Sequence, residues 1–128
     1  MRERAVFVLP LLLATLATGC NKSPRDKLQG KWVGEDVQHV HPSQLARAQG
    51  WVKQTHLELN GNNATVSIPA EEPRSGSFKV AKVEGSDMEV VFTRKAGAGE
   101  DRSKMSIADD GKLHWTMDNG VVLVMHRE

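Results

Sequence analysis

Apolar and polar residues alternate with a period of two through most of the chain beyond Val52. Residues two apart share one face of a β-strand, so this alternation predicts strands with one buried face. Turn sequences rich in Asn, Asp and Gly separate these segments roughly every 8–15 residues, a spacing typical of antiparallel hairpins. The residues predicted to face inward are Trp32, Leu57, Leu59, Val66, Ile68, Phe78, Val80, Met88, Val90, Phe92, Met105, Ile107, Leu113, Trp115, Met117, Leu123 and Met125.

The pattern predicts an all-β fold, an antiparallel meander of about eight short strands. A meander of this size most simply closes into a small barrel, because closure removes exposed sheet edges. One short helix is predicted after the first strand, over residues 43–49, with Gly50 closing it. Residues 93–102 contain glycine and several charges, and they are predicted to form a mobile loop.

The N-terminal segment has a different pattern, in which Arg2 and Arg4 precede thirteen mostly apolar residues, 5–17. A membrane-spanning helix needs about 20 apolar residues, whereas the apolar part of a signal peptide has about 7–15. The length therefore predicts a secretory signal. Small residues at positions 17–19 then precede Cys20, the one cysteine of the chain.

The run Ala17-Thr18-Gly19-Cys20 resembles the lipobox of bacterial lipoproteins, although that family prefers Leu where Ala17 stands. The resemblance implies cleavage between Gly19 and Cys20 and attachment of acyl chains to Cys20. Asp directly after the cysteine favours the inner membrane in that family, so Asn21 implies the outer membrane. The alternatives are an uncleaved anchor and an ordinary signal peptide cut elsewhere, which leaves Cys20 as a free thiol.

The expected organisation is a signal peptide at residues 1–19, a lipidated tether at 20–27 and a β-barrel domain at 28–128. Without Arg2, Glu3 and Arg4, the 17 basic and 16 acidic side chains fall to 15 of each, so the mature chain has no net charge. Nucleic-acid binding and a polybasic membrane patch both need clustered positive charge, and neither is expected. A single cysteine forms no internal disulfide, so packing alone must hold the domain.

Gly30-Lys31-Trp32 resembles the Gly-x-Trp opening of lipocalin-like barrels. In that family the Trp packs across the barrel floor and a basic residue from the last strand stacks on it, which implies these places for Trp32 and Arg127. Cation–π contacts of this kind contribute about 0.5–2 kcal/mol. A core Trp on a first strand is the simpler interpretation, and both interpretations bury Trp32.

Candidate residues for catalysis or metal binding are few. On a strand, His39 and His41 would share one face as two metal ligands, but no third ligand has a fixed spacing. The sequence contains no Gly-x-Ser-x-Gly or Ser-x-x-Lys motif, and Gly97-Ala98-Gly99 lacks the third glycine of a nucleotide-binding loop. We therefore expect no enzyme activity, no cofactor and no metal site.

Two functions fit these features. The first is an accessory or interaction domain whose solid barrel docks another envelope protein, with an exposed apolar patch at Val122 and Val124. The alternative is lipocalin-like binding or carriage of a small hydrophobic molecule, which requires a cavity. Because methionine adapts to apolar contents, the candidate ligand-lining residues are Met88, Phe92, Met105, Trp115 and Met117.

Overall fold

A computed structural model describes residues 23–95 and 99–128 of the chain. Within these ranges, eight antiparallel strands form one closed barrel in which each strand pairs with its neighbours along the chain. The strands are β1 Gly30–Gln38, β2 His56–Asn60, β3 Asn63–Ser67, β4 Arg74–Glu84, β5 Asp87–Arg94, β6 Glu100–Ile107, β7 Leu113–Thr116 and β8 Val122–Arg127. The predicted all-β meander that closes into a small barrel is confirmed.

The barrel closes where β1 pairs with β8, from Trp32 opposite Arg127 to Gln38 opposite Val122. This pairing satisfies the backbone groups that the first and last strands of an open sheet would leave exposed. The inward-facing side chains form one hydrophobic core. All the residues predicted to face inward belong to this core or pack against it, except Ile68, which is half-buried outside it.

One end of the barrel, here called the floor, is closed by Leu28, Trp32 and Arg127. Leu28 and Trp32 are fully buried, and Nε1 of Trp32 donates to the backbone carbonyl of Leu28 at 2.9 Å. The guanidinium carbon of Arg127 lies 4.2 Å from the centroid of the Trp32 ring. Arg127 also donates to the carbonyl oxygens of Lys27, at 2.7 Å, and of Gln29. Trp32 and Arg127 thus lie in the places implied by the resemblance to lipocalin-like barrels.

Helix α1, Pro24–Leu28, packs across the floor. The hydroxyl of Ser23 accepts a hydrogen bond from the backbone N–H of Asp26 at 3.2 Å, which caps the helix. Just after the helix, the side chain of Gln29 exchanges two hydrogen bonds with the backbone of Gly61. The polar composition of residues 20–27 predicts a tether and misses this helix, whose five residues are too few to show a helical period.

Near the opposite end, a 3-10 turn at Pro42–Gln44 leads into helix α2, Leu45–Val52. The predicted short helix after the first strand is confirmed, but Gly50 lies inside it instead of closing it. Val52 is fully buried and holds the end of the helix against β1, whereas Trp51 is 40% exposed. No helix in the described part of the chain is long and apolar enough to cross a membrane.

The prediction of a mobile loop at residues 93–102 is largely wrong. β5 continues to Arg94 and β6 begins at Glu100, with Phe92 opposite Asp101 and Thr93 opposite Glu100. Charged residues at inward positions conceal the alternation there, because these positions lie where the barrel ends and water reaches both faces. Strand pairing therefore includes residues 93–94 and 100–102, although the composition here is typical of a loop.

The predicted apolar patch on the outer face of β8 is also wrong. Val124 is buried opposite Asp36 of β1 and His114 of β7, and Val122 is half-buried. The exposed patch required by the docking hypothesis is therefore not present at these two valines.

The contact between β1 and α2 gives a matched pair of glycine substitutions. A Cβ on Gly34 would lie 2.0 Å from the carbonyl oxygen of Val52, whereas a Cβ on Gly50 would meet nothing within 4 Å. We expect Gly34→Ala to lower the free energy of unfolding by about 1–3 kcal/mol or more, as overpacking does. Gly50→Ala should raise it by roughly 0.5–1 kcal/mol through helix propensity. Urea unfolding measures both, and equal stability of the two variants would contradict the packing described.

Candidate functional site

A cavity of about 310 Å³ opens at the end of the barrel opposite the floor, here called the mouth. Neighbouring strands run in opposite directions, so β1 and β3 both run from the floor towards the mouth. β3 therefore ends at the mouth, and β4 begins there. The lining comes from β3 to β7 and from the two residues after β7. It consists of Ala64, Val66, Arg74, Ser75, Gly76, Ser77, Phe92, Thr93, Arg94, Asp101, Arg102, Ser103, Trp115, Met117 and Asp118.

The inner wall of the cavity is apolar and aromatic. The ring centroids of Phe92 and Trp115 lie 5.7 Å apart with an interplanar angle of 37°, and Phe78 continues the series 6.4 Å from Phe92. Tilted pairs at such distances are favourable for aromatic rings. Val66 and Met117 complete the wall, and both are half-buried. This part of the cavity suits an apolar molecule.

Most charged side chains on the outer rim of the cavity are paired with a nearby side chain of opposite charge. Nη2 of Arg94 lies 3.3 Å from Oδ2 of Asp101, and Nη2 of Arg74 lies 2.6 Å from Oε1 of Glu71. All four side chains are exposed, so each pair contributes little to stability. The arginines are nevertheless neutralised locally, and the rim does not present a bare positive charge to an entering molecule.

Trp115 carries an unsatisfied polar atom in the wall of the cavity. Its side chain is 7% exposed, and no described residue accepts a hydrogen bond from its Nε1. A buried donor without a partner costs about 1–3 kcal/mol. The other buried tryptophan, Trp32, donates to Leu28 at the floor. The two ends of the barrel therefore differ, because the indole at the floor is satisfied and the one beside the cavity is not.

Three of the five residues predicted to line a ligand site, Phe92, Trp115 and Met117, lie around this cavity. Met105 is fully buried between Met88 and Trp115 in the sheet register. Met88 is also buried. It borders a separate groove of about 320 Å³, and the other side chains that line this groove are mostly charged or polar. The two deeper methionines thus fill the core below the cavity.

Sequence reasoning missed the rim residues Arg74, Arg94 and Asp101. The predicted mobile loop at residues 93–102 covers Arg94 and Asp101, and no strand is predicted at Arg74. The alternation signal is weak there, although Arg94 lies two residues beyond Phe92 and Asp101 two before Ser103. Extending the inward face by one step beyond Phe92 and by two steps before Met105 would have found Arg94 and Asp101.

The predicted lipid-attachment residue Cys20 and the predicted cleavage site between Gly19 and Cys20 lie outside the described residues. The glycine run at residues 97–99 is described only at Gly99. Lipid attachment and cleavage therefore stay predictions from the sequence.

His39 and His41 do not share a strand face. β1 ends at Gln38, and His39 has a positive φ of 64°, which turns the chain out of the strand. His41 instead caps the following 3-10 turn, where its Nδ1 accepts from the backbone N–H of Ser43 at 3.1 Å. Within residues 23–95 and 99–128, no group of three or more His, Cys, Asp or Glu side chains is arranged to hold a metal ion.

A second polar cluster lies on the outer wall, at a bulge in β1. Oε2 of Glu35 lies 2.6 Å from Nζ of Lys112, and Oε1 lies 2.9 Å from Nδ1 of His126. The hydrogen bond from Lys112 lowers the pKa of Glu35 below its usual value, and it raises the pKa of Lys112 in turn. This cluster ties the turn before β7 to β1, and none of its members lines the cavity.

Comparison with known proteins gives no relative from which a function can be transferred. No protein-family model matches the sequence, and no curated protein sequence matches it.

Proposed function

We propose that this protein is a lipid-anchored protein of the cell envelope whose barrel binds a small, largely apolar molecule in the cavity at its mouth. The observation that carries the proposal is a cavity with an aromatic inner wall and a polar rim, opening through one end of an otherwise packed barrel. This is the alternative function from the sequence, and the cavity favours it over a solid docking domain.

The dimensions of the cavity support a small ligand. Small-molecule sites have volumes of about 300–1,000 Å³, so a cavity of about 310 Å³ lies at the lower limit of that range. The core below it is filled by Met105, Met88 and Leu113, which are buried. A ligand would therefore enter only the upper part of the barrel, and a long chain would extend out past the rim.

The proposed role is binding or carriage without catalysis. The charged groups at the rim include two carboxylate–guanidinium pairs, Arg94–Asp101 and Arg74–Glu71. Exposed ion pairs of this kind do not form a nucleophile held against a general base. In this proposal the protein releases its ligand chemically unchanged.

Lipid attachment at Cys20 would orient the barrel. Cys20 precedes Ser23 by three positions, and three residues span at most about 11 Å. Ser23 caps α1, which is fixed across the floor by Gln29 and Leu28. Acylation at Cys20 would therefore hold the floor near the lipid surface and leave the mouth directed away from it.

Docking of an envelope protein remains a second candidate function, now at a different surface. Trp51 is 40% exposed and Leu45 is 37% exposed on α2. An exposed Trp is frequent in binding hot spots, which favours a protein contact at this helix. The two side chains are six residues apart and so do not lie on one helix face. This separation makes docking on α2 the weaker candidate.

Blocking the cavity tests the binding role. We expect Val66→Trp to weaken binding of the fluorescent apolar probe N-phenyl-1-naphthylamine at least tenfold, because the larger side chain takes the space of the ligand. The matched control is Val83→Trp, at an exposed position on β4 outside the cavity lining. It should bind the probe as the unmodified protein does. Equal affinities for Val66→Trp and the unmodified protein, both folded by circular dichroism, would refute the proposed site.

Lipid anchoring is tested by Cys20→Ser in the native host. Two or more acyl chains hold a protein on a membrane almost irreversibly, since each buried CH₂ contributes about 0.8 kcal/mol. The unmodified protein should sediment with membranes after cell lysis, and the variant should be recovered in the soluble fraction. Retention of Cys20→Ser on the membrane would exclude lipid attachment at this residue.

A further inference from the structure

We infer that the ligand of the cavity is an uncharged, mainly apolar molecule that carries a hydrogen-bond acceptor oxygen, such as a ketone, ester or ether oxygen, for Nε1 of Trp115. The inference rests on the proposed function and adds the chemistry of the ligand. It combines two observations, the apolar cavity and the buried indole N–H in its wall that no described residue satisfies.

The indole N–H points to an acceptor because buried tryptophans normally find one. The same chain does this at the floor, where Trp32 donates to a backbone carbonyl. Trp115 pairs in the sheet with Met105 and Leu123, whose side chains offer no oxygen acceptor, and it contacts the ring of Phe92. These neighbours therefore leave the donor unsatisfied, and a molecule in the cavity that Trp115 lines is the source of the acceptor that we infer.

Nε1 of Trp115 has almost no contact with solvent in the structure, so a wall side chain must move before an oxygen reaches it. Met117 lies in the same wall two residues further along the chain and is half-buried. Methionine is unbranched with three rotatable bonds, so it changes conformation easily. Water that enters can accept the bond in the free protein, and a ligand that displaces it keeps the bond only by supplying its own oxygen.

In the described part of the chain, the inner wall around Trp115 carries no charged side chain, which indicates that the part of the ligand bound there is uncharged. A carboxylate beside Trp115 would lose its hydration in exchange for one hydrogen bond, which is unfavourable in an apolar site. The three arginines that line the cavity are already paired, and the pairs are Arg74–Glu71, Arg94–Asp101 and Arg102–Glu89. Burying a neutral oxygen costs much less desolvation free energy than burying a carboxylate, and one such oxygen satisfies the single N–H of Trp115.

Three naphthalene probes of equal size test the inference: 2-acetylnaphthalene, 2-isopropylnaphthalene and 2-naphthoate. The full-length chain is labelled with ¹⁵N-tryptophan in phospholipid nanodiscs, and its three indole signals are followed during titration, with lipid-only blanks. We expect the ketone to bind about five- to tenfold tighter than the hydrocarbon, the effect of one hydrogen bond. We also expect it to bind tighter than the carboxylate and to shift the Trp115 signal downfield.

Two variants make the assignment specific. Trp115→Phe should bind the ketone and the hydrocarbon with equal affinity, because the donor is lost while an aromatic wall remains. The control Trp51→Phe changes an exposed indole on α2 and should keep the full preference for the ketone.

The outcomes separate the inference from the proposed function. Three results would overturn the inference without excluding the binding site. The first is equal affinity of the unmodified protein for the ketone and the hydrocarbon. The others are a preference for the ketone that persists in Trp115→Phe, and tighter binding of 2-naphthoate than of the ketone. If no probe binds and the Trp115 signal does not move, the proposed binding function fails together with it. The comparison of the three probes uses the unmodified protein, so it does not depend on whether a variant folds.

Discussion

Closure of the sheet between β1 and β8 is the constraint on which the rest of the structure depends. It brings Arg127, near the C-terminus, opposite Trp32 at the start of the first strand. That register places the guanidinium over the indole and within reach of the carbonyl groups of Lys27 and Gln29. One end of the barrel is thereby sealed by contacts between the two ends of the domain. Among residues 23–95 and 99–128, no equivalent set of contacts closes the other end over β3 to β7, and the cavity lies there.

Much of the fold could be predicted from the sequence, because the period of two in strands such as β7 and β8 fixes which side chains face inward. Leu113 and Trp115 behave as their alternation predicts. Helix α1 could not be predicted this way, since its stability comes from tertiary contacts of Leu28 and Gln29 instead of from a repeating pattern. Ends of strands were also missed where an inward position is wet and charged, as at Asp101.

The site was predictable only in part, for a related reason. Alternation shows that Trp115 and Met117 face inward, but it does not show which inward residues are covered by others and which border a space. That distinction depends on strand tilt and on the stagger of neighbouring strands, which bury Met105 and leave Val66 at the cavity. The unsatisfied N–H of Trp115 is a property of three-dimensional packing, and the sequence contains no signal for it.

The most direct test of the account is native mass spectrometry of the protein isolated from the cells that make it. Small-molecule cavities of this size bury most of a drug-sized ligand, so a bound molecule should survive gentle isolation. We expect an added mass on the order of a few hundred daltons that is lost on denaturation. The released molecule should be uncharged and should contain oxygen. The bare mass of the protein, reproduced over independent preparations, would contradict it.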